Sequence, residues 1–593
     1  MPGVVGGRAV DAPADRLTEP ADPGRTDRWT FEHGEYSLAL GYHTDDPQGH
    51  AIWEDGDRAG VVYGALTTRA ELGWSTEELF DRLLDRPAET AAALDGGFVI
   101  ACQDAAADRQ LLVTDKLGAR PLFYTTEGPL RFGSAVSQLV PFCDDPTVNL
   151  QGVSDMLLMG NLWSQHTLVE EVLAQRPATV LDVVDGERST TRYWKPEYTE
   201  ADPDRAYLTK LTDRYRQAVR RTSTTLPEEA GIWLSGGLDS RTTTGALHQY
   251  RKPCGPETLR TFTYDANPPT GDNIRIAGQV TETLGIPNEQ VPLTAETVGE
   301  GLEQIIETTD GNLMWVYGAN LSATSEMQSP PPVLMEGMQG ALLGDHLYRH
   351  HLHDAATAVD SQLASEAITD PSGVRSLLSA SVDPLGSFKT EASRAEGSTT
   401  RERVLDVHFQ NYYSRVFMPG NRLMRDRVGT RVAQADGDYL ELCAKLPRQL
   451  RKGSFRGPLT PDGGVPYEPT RAKLSVIRRI DPDLADIPYE RSKVKPSRPY
   501  PLHIAGFVGN VVTNRLLRKP TYGSGQLADF WIRNTETRLH DRVTELIDDA
   551  CDRPLFDADA VQAVYDQHMT GEHNASRLGQ ITTIEHWLQT NLD

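Results

Sequence analysis

A six-residue turn, Ser235-Gly236-Gly237-Leu238-Asp239-Ser240, limits what this chain can fold into more than any other feature. It follows the apolar residues 230–234, which are typical of a buried strand, and precedes residues 241–247, which predict the start of a helix. A strand, a glycine turn and a helix N-terminus bring several backbone N–H groups around one small volume. The turn therefore predicts a site for a phosphate-like anion, formed by Leu234, Ser235, Gly236, Gly237, Leu238, Asp239 and Ser240.

The side chains of this turn indicate a metal ion beside the anion. Ser235 and Ser240 can donate hydroxyl hydrogen bonds to phosphate oxygens, whereas the Asp239 carboxylate would repel them. An acid at this position therefore favours a bridging Mg²⁺ ion. Arg241 could approach a phosphate or pair with an acid such as Asp272. The alternative interpretation is a glycine-rich turn with no ligand. No G-x-x-x-x-G-K-[ST] motif occurs, which argues against a P-loop NTPase.

Length and composition predict a soluble, cytoplasmic, multidomain protein. The chain has 593 residues, enough for two or more domains, and no apolar run of about eighteen residues that would predict a transmembrane helix. A net charge of −25 argues against general nucleic-acid binding. Only 11 of the 59 basic residues are Lys, which together with the many acidic residues favours a halophilic protein. The alternative is an acidic protein from a GC-rich genome. Five scattered cysteines predict neither structural zinc nor a disulfide framework.

Three regions follow one another along the chain. Residues 1–28 are rich in Pro, Gly, Asp and Ala and predict a disordered tail. Residues 29–195 alternate short apolar runs with turn signals, which predicts a β-rich layered domain. Residues 205–593 begin with alternating helices and strands and end mostly helical, with a predicted loop near 452–470. This rhythm indicates an α/β doubly wound parallel sheet that binds ligands at its carboxyl edge. The predicted elements are helices 205–222, 241–250 and 272–285 and strands 231–234, 259–264 and 289–292.

Residues from about 90 to 593 resemble glutamine-dependent asparagine synthetase and its relatives, which include β-lactam synthetase and the lasso-peptide macrocyclases. The turn resembles the pyrophosphate loop of ATP pyrophosphatases. Leu94–Phe98 and Asp115–Tyr124 resemble the motifs LNGxF and DRxGxxPLYY of the first domain, Arg431–Asp436 resembles RVPFLD, and Ile584–Leu588 resembles the C-terminal signature. The resemblance implies an α+β, N-terminal-nucleophile glutaminase-like β-sandwich over 29–195. An α/β doubly wound ATP pyrophosphatase domain with a helical C-terminal part would follow over 205–593.

The first domain departs from the family at its nucleophile. Glutaminases of this class attack glutamine with a cysteine that becomes residue 1 once Met is removed, and its α-amino group serves as base. Here Pro2 holds that position, and the first cysteine along the chain is Cys102. The sequence therefore predicts no glutamine hydrolysis, and a domain that is structural or recruits a partner.

The second domain departs from the family at its second metal ligand. The family carries SGxGxDExxGGY after the third strand, and its Asp binds Mg²⁺ beside the pyrophosphate loop. In the segment 333–347 the acidic pair is replaced by Ala341 and Leu342. Two acids, Glu336 and Asp345, flank the gap, and either could supply the missing carboxylate. Asp345 is predicted to bind metal with Asp239, and Glu336 is also a candidate catalytic carboxylate.

The remaining predicted site residues also come from the resemblance. Thr263, on the second strand, and Gly337 are predicted to contact the nucleotide. Lys493 and Lys495 are candidates for the lysine that stabilises the adenylyl intermediate, the alternative being a solvated loop. Four histidines between 346 and 353 could include a metal site, but the sequence places no carboxylate partner beside them and favours a polar helix surface.

The resemblance implies an ATP-dependent amide-forming ligase that requires Mg²⁺. A carboxylate would attack the α-phosphate to give an acyl-adenylate and pyrophosphate, and an amine would then displace AMP. The implied substrates are a small-molecule or peptide carboxylate and an amine, with an ammonia-supplying or substrate-delivering protein as an open partner and no nucleic acid or membrane. Two alternatives stay open: a peptide or small-molecule cyclase, and a catalytically impaired scaffold or regulatory protein.

Overall fold

The computed structural model describes residues 2–17, 19–265, 272–337, 339–455, 465–516 and 524–593. The N-terminal unit contains two antiparallel six-stranded sheets. The first has the spatial order Val172–Ala174, Phe123–Thr125, Arg131–Gly133, Gly3–Arg8, Tyr36–His43 and Thr26–His33. The second has the spatial order Glu187–Arg192, Thr179–Val184, Arg109–Thr114, Phe98–Asp104, Arg58–Gly64 and His50–Asp55.

Alternating apolar side chains fill the space between these sheets, among them Val4, Leu38, Val61 and Leu112. The opposite side chains of the second sheet pack with Phe80 and Leu83 on a covering helix. Because successive strand residues face opposite sides, one sheet supplies both cores. The predicted β-sandwich is confirmed. The helices of this unit are Arg69–Leu72, Thr76–Asp85, Pro87–Ala93 and Leu150–Met159.

The prediction of a disordered tail over residues 1–28 is wrong. Gly3–Arg8 is an inner strand of the first sheet, where Val5 lies opposite Ala39 on one side and Gly133 on the other. Its glycines fit a crowded interior: a Cβ on Gly6 would lie 2.6 Å from the carbonyl oxygen of Ser37. The glycine content that resembles a linker is therefore what close strand packing requires here.

A five-stranded parallel sheet forms the centre of the second unit. Its spatial order is Asn288–Val291, Thr258–Tyr264, Glu229–Trp233, Val333–Glu336 and Gly429–Val432. Ile232 and Met335 belong to one hydrophobic core, and Phe262 and Leu334 belong to the other. Helices cover both faces, so the doubly wound α/β sheet is confirmed, and the six predicted elements lie within two residues of the observed ones.

The helices of this unit that precede residue 450 are Arg205–Ser223, Asp239–Tyr250, Asp272–Leu284, Ala295–Glu300, Leu302–Thr309, Trp315–Gly318, Gln339–Leu342, Arg349–His353, Ala358–Glu366, Pro371–Leu377, Gly386–Arg394, Thr400–Tyr412, Arg422–Arg425 and Gly437–Ala444. Those that follow are Arg471–Ile480, Tyr500–Leu516, Ser524–Arg533, Arg538–Asp552, Ala558–Met569 and Ala575–Asn591. Part of the predicted loop near 452–470 lies outside the described residues; at its edges, Gly453–Phe455 pairs with Val465–Tyr467. Among the described helices, none has the length and apolar character needed to cross a membrane.

A buried ion pair joins the two units. The Arg431 guanidinium donates two hydrogen bonds to the carboxylate of Asp46, one of them 2.8 Å long, and a third to the Thr225 hydroxyl at 3.0 Å. Arg431 is 2% exposed and Asp46 is 3% exposed. Because a buried bidentate pair tolerates little displacement, it fixes the β-sandwich against the edge of the parallel sheet.

Candidate active site

A large cleft opens where the strands of the parallel sheet end. It has a volume of about 710 Å³. Its lining includes the turn after Glu229–Trp233, Tyr264 at the end of the strand Thr258–Tyr264, and Gly337 directly after the strand Val333–Glu336. Ligands of doubly wound sheets bind at this edge because the following helices begin there. The structure therefore brings the predicted turn and Gly337 into one cleft.

Hydrogen bonds within the turn set its shape. The Ser235 and Ser240 hydroxyls lie 2.9 Å apart, and the backbone N–H of Gly237 donates to the Ser235 hydroxyl at 3.2 Å. The N–H of Gly236 donates to the side chain of Asn273 at 2.7 Å. No side chain caps the N-terminus of the helix Asp239–Tyr250, so its first N–H groups remain available to an anion.

Arg241 binds backbone carbonyl groups, whereas Asp272 pairs with Arg275 and Lys493. The Arg241 side chain is fully buried. The guanidinium donates to the carbonyl oxygens of Gly236 (3.2 Å), Ile487 (2.7 Å) and Pro488 (3.0 Å). Arg241 therefore ties the floor of the turn to a distant segment of the chain.

Two carboxylates and a lysine meet beside the turn. Lys473 Nζ lies 2.9 Å from Asp239 Oδ1 and also forms a short contact with Asp345 Oδ2. A Cβ placed on Gly340 would lie 2.4 Å from Asp239 Oδ2 and 2.8 Å from Asp345 Oδ2, so these two oxygens are at most 5.2 Å apart. Mg²⁺ takes one or two carboxylates together with phosphate oxygens. Asp239 and Asp345 therefore fit the predicted metal pair, and glycine at 340 leaves space between them.

Charges around Lys473 keep it protonated. Burial lowers the pKa of Lys473, but the carboxylates of Asp239, Asp345 and Glu468 outweigh that effect and leave the pKa raised. Burial is the largest cause of the raised pKa of Asp345, and the Lys473 ammonium opposes it. The cluster thus places a permanent positive charge beside two potential metal ligands, which suits the charge of a metal-bound pyrophosphate.

Glu336, predicted as a catalytic carboxylate, is instead part of a buried ion cluster. It is fully buried and accepts hydrogen bonds from Arg425 Nε and Nη2, both at 3.0 Å, and from Asn421 Nδ2 at 2.6 Å. Arg120 Nη1 lies 4.0 Å away. Burial raises the pKa of Glu336, but Arg425 and Arg120 outweigh it and leave the pKa lowered. Its carboxylate is therefore committed to these partners, and Glu336 does not line the cleft.

The two predicted lysines lie outside the cleft. Lys493 pairs with Asp272, and Lys495 lies 3.8 Å from Asp486; both lysine side chains are more than 40% exposed. The lysine that the structure places in the cleft is Lys473, which sequence reasoning missed. A signal was present: Lys473 is on the buried face of the amphipathic helix Arg471–Ile480, among Ala472, Leu474, Val476 and Ile477.

A buried glutamate, Glu468, contributes to the negative charge around Lys473. Glu468 accepts hydrogen bonds from Lys452 Nζ and the Tyr489 hydroxyl, each at 2.6 Å, and also from Arg491. Burial raises the pKa of Glu468, but Arg491 and Lys452 outweigh it and leave the pKa lowered. The sequence does not reveal Glu468, because these three partners lie 16, 21 and 23 residues away from it.

Thr263, predicted to contact the nucleotide, does not line the cleft. The Thr263 hydroxyl donates to the Leu234 carbonyl at 2.9 Å, and its side chain is buried between strands. The next residue, Tyr264, lines the cleft with Trp233, and their ring centroids are 5.3 Å apart in an edge-to-face arrangement. These aromatic faces could pack against a purine base.

A second, much smaller cavity lies at the start of the chain. Pro2, Tyr42, His50 and Arg120 help to line it, and its volume is about 20 Å³, room for about one water molecule. Cys102 is fully buried, and burial raises the pKa of its thiol well above the ordinary range. The cavity thus contains no thiol and no space for a glutamine side chain.

Comparisons with known proteins agree with this arrangement. Residues 74–194 match the model of a glutamine amidotransferase domain, and residues 210–454 match the model of asparagine synthase. The chain belongs to the asparagine synthetase family. The matched regions include the turn 235–240 and Asp345, whereas Lys473 lies beyond them.

Two curated relatives come from Bacillus subtilis (strain 168). Glutamine-hydrolyzing asparagine synthetase 3 is 24% identical over 267 residues, which cover 40% of this chain and 42% of that protein. Glutamine-hydrolyzing asparagine synthetase 2 is 27% identical over 217 residues, which cover 33% of this chain and 28% of that protein. The chain thus spans less than half the length of either relative.

Among solved structures, the glutamine phosphoribosylpyrophosphate amidotransferase from B. subtilis, complexed with ADP and GMP, is 11% identical. The match covers 49% of this chain and 59% of that chain, with a TM-score of 0.21. A score this low supports no conclusion about the site.

Proposed function

We propose that this protein is an ATP-dependent ligase that forms amide bonds through an acyl-adenylate, with release of AMP and pyrophosphate. The observation that carries the proposal is the cluster of Asp239, Asp345 and Lys473 beside the turn 235–240. It combines a phosphate-binding turn, two metal-binding carboxylates and a protonated lysine in one cleft. An adenylyl-transfer site needs these elements because negative charge accumulates on the departing pyrophosphate.

Each group has a distinct role in this proposal. The N–H groups at the start of the helix Asp239–Tyr250 and the Ser240 hydroxyl bind pyrophosphate oxygens. Asp239 and Asp345 hold Mg²⁺, which when bound supplies charge neutralisation to the phosphates. Lys473 moves from its carboxylate partners toward the phosphate oxygens, and Arg241 keeps the turn in place throughout.

The adenine base is proposed to pack against Tyr264 and Trp233. Both aromatic rings line the cleft, and each belongs to the last residue of its strand, Thr258–Tyr264 or Glu229–Trp233. Base–aromatic packing tolerates any purine, so discrimination among nucleotides would depend on backbone contacts near the strand ends.

We further propose that the N-terminal domain does not hydrolyse glutamine. Pro2 offers no thiol, and its cavity of about 20 Å³ does not admit the substrate. The buried cluster of Glu336, Arg425 and Arg120 adjoins both cavities, because Arg120 and Arg425 line the small one and Asn421 lines the cleft. The amine would therefore be free ammonia, ammonia from a partner, or an amine of the substrate itself.

The apolar part of the cleft lining, here called the apolar wall, favours a substrate with apolar parts. It is formed by aromatic and aliphatic side chains, which are Met159, Leu313, Tyr317, Leu321, Ile368, Val416 and Phe417. A carboxylate on a small polar molecule would leave this wall exposed to water, whereas a peptide or a larger apolar acid would cover it. This wall supports the cyclase or peptide-ligase alternative within the proposed reaction class.

The experiment is to incubate the purified protein with MgATP and panels of carboxylates and amines, and to measure AMP and pyrophosphate together. Equimolar AMP and pyrophosphate that depend on both substrates support the proposal. Asp239→Asn should abolish the release, whereas Lys495→Ala, a change at an exposed lysine outside the cleft, should not. If no MgATP binds at all, the protein is a scaffold rather than an enzyme.

A further inference from the structure

We propose that His346, Glu366 and His408 form a second metal site, for a zinc-class divalent transition-metal ion, at the edge of the cleft. His346 follows the short helix Gln339–Leu342, Glu366 ends the helix Ala358–Glu366, and His408 is within the helix Thr400–Tyr412. One donor atom from each residue lies within 4.8 Å of the other two. This site is separate from the proposed magnesium site and does not depend on the proposed ligase activity.

His408 has the hydrogen-bonding pattern of a metal-binding histidine. Its side chain is buried, and its Nε2 lies 3.2 Å from the Tyr413 hydroxyl. Its Nδ1 is buried and has no hydrogen-bond partner within the described part of the chain. When one ring nitrogen donates to an outer partner, the other presents a lone pair, which is the usual arrangement of a metal-bound imidazole. A buried nitrogen without a partner otherwise carries a full desolvation penalty.

Glu366 has no lysine or arginine partner within the described residues. Its side chain is 6% exposed, and His346 Nε2 lies 2.7 Å from its Oε1. Within the described residues, no Lys or Arg nitrogen lies within 4.0 Å of this carboxylate. The Ser365 hydroxyl donates to the same oxygen at 2.7 Å and fixes its position. A divalent cation would balance the carboxylate and bring two neutral imidazoles into its coordination shell.

The donor set selects the kind of metal. Two imidazoles and one carboxylate suit zinc, cobalt, nickel or iron, whereas Mg²⁺ prefers oxygen ligands. Donors bound to one tetrahedral zinc ion lie roughly 3.3 Å apart, because each zinc–ligand distance is about 2 Å. The donors would therefore close by at most about 1.5 Å, a movement that side-chain rotation provides.

Packing and exposure define the rest of the site. The ring of Tyr412 stacks against the imidazoles of His346 and His408, with centroid distances of 3.8 and 4.7 Å. His346, Glu366 and Tyr412 line the cleft. A three-residue site with one side open to a cleft leaves a coordination position for water or a donor atom of the substrate.

The test is a titration of tag-free, metal-stripped protein with Co²⁺ in the presence of excess Mg²⁺. The expected result is one equivalent of bound Co²⁺ with visible ligand-field bands that Zn²⁺ abolishes by competition. His346→Gln, Glu366→Gln and His408→Gln should each weaken Co²⁺ binding by at least 100-fold. Tyr413→Phe removes only the outer hydrogen bond and should weaken binding by about 10- to 100-fold.

Two controls separate this site from other metal binding. His353→Gln changes a nearby histidine outside the cluster and should bind Co²⁺ like the wild type. Asp239→Asn changes the proposed magnesium site and should keep the cobalt bands. The proposal is overturned if the wild type binds no stoichiometric Co²⁺, or if folded Glu366→Gln and Tyr413→Phe bind it as tightly as the wild type.

Discussion

Glu336→Gln is the substitution that separates a structural acid from a catalytic one. Glu336 is fully buried, and its two oxygens accept hydrogen bonds from Arg425 and Asn421. A glutamine keeps the volume but removes the negative charge and turns an NH₂ group toward a guanidinium. Arg425, 2% exposed, and Arg120, 5% exposed, would then be buried without their counter-charge.

The expected cost is about 3–5 kcal/mol in the free energy of unfolding, the range for breaking a buried ion pair by removing one partner. The assay is urea unfolding of the wild type and the variant at neutral pH. Because the pKa of Glu336 is lowered in the folded state, the ion pair stabilises the protein fully above the ordinary pKa of 4.5. The difference between the two proteins should disappear as the pH falls through the lowered pKa.

The matched variant is Asp345→Asn, which changes the other acid that flanks the gap in the family motif. The Asp345 side chain is 21% exposed, and Lys473 retains Asp239 as a partner, so the loss of stability should be smaller than for Glu336→Gln. Binding of MgATP should instead be lost. The reasoning is refuted if Glu336→Gln unfolds like the wild type while it loses MgATP, because Glu336 would then be the metal ligand.

Three further outcomes are expected. Arg241→Lys loses at least two of the guanidinium hydrogen bonds that hold the turn 235–240. The free energy of unfolding, measured in urea, should fall by about 3 kcal/mol. An unchanged unfolding midpoint would contradict this role. Tyr264→Ala should weaken nucleotide binding about tenfold through lost base packing, measured by calorimetry, with equal affinity as the opposing result. Asp46→Ala leaves Arg431 buried without its partner and should cost about 3–5 kcal/mol; wild-type unfolding and proteolysis rates would contradict that.

The sequence predicts best those features that lie within one continuous segment. The conformation of the turn 235–240 can be predicted because its strand, glycines and helix follow one another along the chain. The alternating elements from 205 to 292 are predicted for the same reason. Asp345 could be predicted only as one of two candidates, because choosing between them depends on which acid faces Asp239 in space.

Two kinds of feature cannot be predicted from local sequence: side-chain partners that lie far apart along the chain, and close packing of the backbone. Glu336 is bound by Arg425, 89 residues away, and no local pattern reveals that pairing. Lys473 reaches Asp239 across more than two hundred residues, although a lysine on the apolar face of a helix was a usable signal. The strand Gly3–Arg8 resembles a tail in sequence, because glycines that close packing requires are typical of linkers as well.

The central claim is that Asp239 and Asp345 bind a nucleotide through Mg²⁺ at the turn. The most direct measurement is calorimetric titration with the ATP analogue that carries a methylene group between the α- and β-phosphates. The wild type should bind one equivalent, and omission of Mg²⁺, Asp239→Asn or Asp345→Asn should each weaken binding at least tenfold. Equal affinity with and without Mg²⁺, or in both variants, would contradict the account.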